Sequence, residues 1–201
     1  MSYQIKIPSY TCGGEGCIEN VPAIIEKEHA KKIMVFTDKG IRSTGLLDGL
    51  TKILDETAAE YKIFDDLTPE PAYQDVERVM DEAAQYEGDF IIAIGGGSVM
   101  DAAKLCSVLK GASYTVKDLL KDPAIAEKQI KTLMIPTTCG TGSEATCNAI
   151  VAIPEEQSKK GIVNDNMIPD YVFLDSQMIR KLPKAIIAAT GVDALAHVVE
   201  C

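Results

Sequence analysis

The stretch DFIIAIGGGSVMDAAK, residues 89 to 104, decides how the rest of the chain is read. Residues 89 to 94 read as a strand, and after Asp89 its run is continuously apolar, the mark of a strand buried on both faces. Three glycines follow at 95, 96 and 97, and a helical pattern runs from Ser98 to Lys110. A strand that ends in a glycine turn and opens a helix belongs to a parallel sheet with crossover helices. Working outward, KIMVFT (32 to 37), YKIFDD (61 to 66), KTLMIP (131 to 136) and YVFLD (171 to 175) read as further strands. Helical spacing covers Gly40 to Thr57 through Ile41, Leu46, Leu47, Leu50 and Leu54. It also covers Tyr73 to Tyr86, with Val76, Val79, Met80 and Ala83 on one face.

The later part differs. NAIVAIP (148 to 154) and KGIVND (160 to 165) flank a polar stretch and suit an antiparallel hairpin over the sheet. From Pro183 the pattern KAIIAATGVDALAHVVEC is helical and apolar on most of its surface, so it needs partners to cover it. The expected fold is α/β: a Rossmann-like parallel sheet with flanking helices over 1–181, then the first helix, 182–201, of a truncated all-helical domain.

The formal net charge of -10 argues against non-specific binding to nucleic acid or an anionic membrane. No apolar run is long enough to span a bilayer, and MSYQIKIPSY lacks the basic and apolar regions of a secretory signal. A cytoplasmic protein is expected. The cysteines (Cys12, Cys17, Cys106, Cys139, Cys147, Cys201) include no C-x-x-C pair, so reduced thiols are expected rather than a cysteine zinc site.

Three segments carry chemistry. Gly95-Gly96-Gly97-Ser98 lets backbone N–H groups approach an anion, and the positive end of the following helix points to the same place. Ser98 suits a helix cap or a phosphate oxygen, and Asp101 lies one turn on. The turn also serves as a plain strand-to-helix connection. Pro136-Thr137-Thr138-Cys139-Gly140-Thr141-Gly142-Ser143-Glu144 offers hydroxyls and open amides after a second strand. Asp193 and His197, four apart on a helix, face the same way and suit Fe²⁺ or Zn²⁺, although the same spacing also gives a solvated surface pair. His29, in the charged stretch EKEHAKK, reads as a surface residue. Asp38, at a strand end, sits where nucleotide folds read ribose hydroxyls. Gly14 and Gly16 suggest a dinucleotide fingerprint, but position 19 is Glu, so no diphosphate is placed there.

Together GGGSVMDAAK (95 to 104), PTTCGTGSEAT (136 to 146), PDYVFLD (169 to 175) and ATGVDALAHVVE (189 to 200) resemble the iron-containing (group III) alcohol dehydrogenase family, in its N-terminal half. The resemblance implies metal-assisted hydride transfer between a primary alcohol and NAD, giving an aldehyde and NADH. It places the diphosphate on Gly96, Gly97 and Ser98, with Asp101 lining the pocket. It puts Thr137, Thr138 and Thr141 along the cofactor cleft, and Asn148 and Lys159 against the nucleotide. Asp38 would bond the adenosine ribose, favouring NAD over NADP. Asp193 and His197 would be the first two of four metal ligands, the others lying beyond this sequence, so the 201 residues alone are expected to be inactive. A homodimer or larger homo-oligomer is implied at full length. A glycerol-dehydrogenase or dehydroquinate-synthase relative, and a non-catalytic NAD-binding module, stay open as alternatives.

Overall fold

The computed structural model describes residues 4–180 and 182–200. Along the chain the strands are β1 (Tyr10–Gly13), β2 (Lys32–Phe36), β3 (Glu60–Phe64), β4 (Phe90–Gly95), β5 (Lys131–Pro136), β6 (Asn148–Ile153), β7 (Ser158–Val163) and β8 (Tyr171–Leu174). The α-helices are α1 (Val21–Glu28), α2 (Lys39–Ser43), α3 (Leu46–Asp55), α4 (Tyr73–Tyr86), α5 (Gly97–Leu109), α6 (Val116–Lys121) and α7 (Lys184–Glu200). Six strands make one parallel sheet in the order β1-β8-β5-β4-β2-β3, and β6 and β7 make a separate antiparallel hairpin. The Rossmann-like architecture expected from the sequence is therefore present.

All six residues of β4 are buried, as the continuous apolar run requires. Alternate residues serve opposite faces. Ile33, Val35, Ile92 and Ile94 pack against α1 and α3 through Val21, Ile24, Leu47 and Leu50. Met34, Phe36, Ile91 and Ala93 pack against α4 and α5 through Val79, Ala83, Met100 and Ala103. The chain steps from β2 out to β3, returns past β2 to β4, and then continues to β5. The direction of winding thus reverses between β2 and β4. Open α/β sheets bind ligands at such a crevice, outside the carboxyl ends of the strands. Here those ends carry Thr37-Asp38 and Gly95-Gly96.

Three sequence expectations are corrected. Gly40 to Thr57 is two helices, because Gly45 takes φ 73°, left-handed backbone that ends α2 and starts α3 in a new direction. The glycine-rich helix is capped by Gly96, not Ser98. Two elements, β1 and α1, precede the first expected strand. β1 pairs with β8 along Tyr10↔Tyr171 to Gly13↔Leu174, so β8 is an interior strand.

The turn at Gly13 to Gly16 holds a carboxylate of the protein itself. Asp175, buried at the end of β8, accepts hydrogen bonds from the backbone N–H groups of Gly16 (3.1 Å) and Ile18 (3.3 Å). A carboxyl group of the chain itself therefore already occupies those amides. The five described cysteines are free, and burial pushes the Cys106 thiol up to about 12. Cys201 lies outside the described residues. His29 is exposed and caps the end of α1 at φ 53°.

Candidate functional site

Two adjoining cavities open at the crevice, of about 300 Å³ and about 220 Å³. The first is lined by Asp38, Gly96, Ser98, Thr138 and Thr190. The second is lined by Asp101, Asn148, Ile150, Lys159 and Glu70. Gly97, Ser98 and Thr141 line both, so the N-terminus of α5 is a shared floor. A Cβ on Gly97 would lie 3.2 Å from Thr141 Cγ2, so a side chain there would fill the cradle. Nine of the ten residues expected to hold a cofactor are thus brought to one place. Thr137 lies beneath instead, wholly buried, with its amide donating to Gly95 O at 2.9 Å. The Oγ1 atoms of Thr137 and Thr138 are buried with no hydrogen-bond partner among the described residues. Glycine floor, helix N-terminus and spare hydroxyls all suit a diphosphate.

Asp38 has a second task. Its Oδ1 accepts from Ile41 N at 2.8 Å and so caps α2. The cap fixes the carboxylate at the rim of the first cavity, opposite the glycine turn.

Asp101 lines the second cavity, but its oxygens are already engaged. They accept from Ser143 Oγ and from Ile150 N (3.0 Å), and Lys104 Nζ lies at 2.9 Å. Lys104 is wholly buried and also donates to the carbonyls of Ser143 (2.9 Å) and Asn148. Burial pushes the Lys104 ammonium below its ordinary value, and the Asp101 charge pulls it back. This pair ties the hydroxyl-rich loop and the start of β6 to α5. The sequence reading assigned Lys104 no role. The available signal was a lysine inside an apolar helix, with an aspartate three residues earlier.

The hairpin roofs the second cavity by strand alternation. Ala149, Val151 and Ile153 are buried against α4, α5 and α6, so Asn148, Ile150 and Ala152 face the cavity. Lys159 sits opposite Ala152 in the register.

Helix α7 approaches the sheet closely at Gly140. Gly140 has φ 120°, and a Cβ there would lie 2.4 Å from Thr190 O, so only glycine allows this approach. Cys139 Sγ and Thr190 Oγ1 are 3.3 Å apart. Asp193 and His197 follow Thr190 at helical spacing, with Asp193 Oδ1 and His197 Nε2 3.8 Å apart and both side chains well exposed. Among the described residues no group of three or more His, Cys, Asp and Glu converges to hold a metal ion. The two donors suit Fe²⁺ or Zn²⁺ in kind but supply only part of a coordination shell. No described helix is long and apolar enough to cross a membrane.

Comparison with known proteins bears on this geometry. The family model for iron-containing alcohol dehydrogenase matches residues 8–176. Long-chain-alcohol dehydrogenase 1 of Geobacillus thermodenitrificans is 32% identical over 98% of this chain and 50% of its own length. A solved iron-containing alcohol dehydrogenase of Thermotoga maritima superposes with a TM-score of 0.88 at 34% identity, covering 99% of this chain and 55% of that one. Sulfoacetaldehyde reductase of Bifidobacterium kashiwanohense, solved in complex with NAD+, superposes with a TM-score of 0.90 at 27% identity, covering 100% of this chain and 53% of that one. The chain spans about half the length of the relatives it matches.

Proposed function

We propose, from the premise that this chain belongs to the iron-containing alcohol dehydrogenase family, that it forms the NAD(H)-binding side of an enzyme interconverting a primary alcohol and its aldehyde. One observation carries this reading. The crevice at the sheet's reversal point joins Asp38, the Gly96–Ser98 turn and the Asn148–Lys159 hairpin, and Thr190 of the donor-bearing helix α7 stands at its mouth.

In this reading the amides of Gly97 and Ser98 hold the diphosphate, with the positive end of α5 behind them. Thr138 and Thr141 offer hydroxyls along the cleft. The Asp38 carboxylate faces the adenosine ribose and would repel a 2′-phosphate, which selects NAD over NADP. Asn148 and Lys159 close over the nucleotide from the hairpin. Bound NAD supplies the hydride acceptor and bound NADH the donor. Asp193 and His197 supply two donors to a catalytic metal whose remaining donors come from outside the described residues. Residues from 182 onward then begin the metal-binding domain, and the substrate sits between the two parts.

The test is an NADH titration of the purified chain followed by nucleotide fluorescence. Saturable binding is expected, and Gly97→Val is expected to weaken it at least about tenfold, a loss of about 1.4 kcal/mol, with the circular dichroism spectrum unchanged. Absence of binding in the unsubstituted chain at millimolar NADH would refute the reading.

A further inference from the structure

We infer that Glu70 is a competing anion built into the cofactor cavity: it holds Lys159 by an ion pair and so limits affinity for the dinucleotide diphosphate. The inference rests on the NAD(H) reading above and adds a determinant of cofactor affinity to it. Lys159 Nζ lies 2.5 Å from Glu70 Oε1, and both residues line the cavity whose floor is Gly97 and Ser98. Lys159 is the one cationic residue among the described residues lining that cavity. Lys104 lies behind the wall, already paired with Asp101.

The meeting of these two side chains is set by the backbone. Glu70 takes φ 53°, left-handed backbone that a non-glycine residue seldom adopts. Its amide donates to Ser98 Oγ at 3.1 Å, so the residue is tethered to the first turn of α5. On its other side, Pro71 O accepts from Ala152 N at 3.0 Å, and Ala72 bridges to Ala152. Ala152 is the register partner of Lys159. Glu70 is therefore fastened to the floor on one side and to the roof on the other, with its carboxylate against the roof's cation. A dinucleotide brings two negative charges to this space. For Lys159 to meet them it must leave Glu70, and breaking that ion pair opposes affinity.

Removing the competing charge should tighten binding, an outcome that structural damage does not produce. Glu70→Gln is expected to bind NADH about two- to five-fold more tightly, the scale of a solvent-exposed ion pair. The gain should shrink in 0.5 M salt, which screens exposed charges. It should vanish in the Lys159→Gln background, and adenosine, which has no phosphate, should bind both forms alike. If the unsubstituted chain binds NADH but Glu70→Gln binds no more tightly, the inference is overturned and the NAD(H) reading stands. A gain that persists without Lys159, or that extends to adenosine, also overturns it. Failure of the unsubstituted chain to bind NADH removes both.

Discussion

The floor of the cofactor crevice and helix α7 carry the two halves of the proposed chemistry, and they are held in opposite ways. From Val99 to Val108 every residue of α5 is buried, and the charged pair inside it is bonded to two other segments of chain, the hydroxyl-rich loop and the start of β6. Helix α7 has no buried residue, and Leu195, Val198 and Val199 are 61%, 74% and 76% exposed. Asp193 and His197, the proposed metal donors, are exposed as well. A cofactor floor needs fixed amide directions, and burial supplies them within this stretch of chain. A metal shell needs donors from several segments, and α7 offers one face of it. An apolar helix surface of this kind is a surface for packing.

The comparison can be broken most directly at Lys104. Lys104→Met leaves Asp101 buried beside no cation, and removing one partner of a buried pair costs about 3–5 kcal/mol. Chemical denaturation should show that loss together with weaker NADH binding. A loss below about 1 kcal/mol would mean that the pair does not organise the floor. A smaller effect is expected at Glu28, which accepts from Tyr171 Oη and Lys131 Nζ at the far side of the sheet. Burial works to raise the Glu28 carboxyl, but the hydrogen bonds from Lys131 and Tyr171 prevail and hold it below its ordinary value of 4.5. A depressed carboxyl stabilises the fold above its unfolded value, and that contribution fades as pH falls through the folded one. Glu28→Gln should therefore cost under about 1 kcal/mol at pH 7, and less at pH 3. An equal cost at both values would sink this account. The smallest effect belongs to α7. Val192→Thr, Leu195→Gln and Val198→Thr together should change stability by less than about 0.5 kcal/mol while raising solubility. A loss of several kcal/mol would show that this face is packed.

The same contrast explains what could be read from the amino acids alone. Strands β2, β4 and β5 are buried on both faces, so their apolar runs are continuous and unmistakable. β1 is a four-residue edge strand, largely exposed, and YTCG has no apolar pattern to find. The place of β8 between β5 and β1 depends on that missed partner. The glycine turns and the Asp193–His197 spacing were legible because their chemistry is local. The Asp101–Lys104 network was not, since its partners lie about forty residues on, at Ser143 and Asn148. Glu70 was missed for a similar reason: only the fold sets it against Lys159.

The partnership of β1 with β8 has a consequence for biogenesis. Gly16 and the Asp175 carboxylate that fixes its turn are 159 residues apart. A ribosome adding roughly 5–20 residues per second needs many seconds to join those ends. During that interval the neighbouring strands can assemble around β4, while the first strand stays without its mate and the β5 edge stays open. Contacts between distant parts of a chain are slow to form, so β1, made before the other strands of this sheet, is the last of them to be docked.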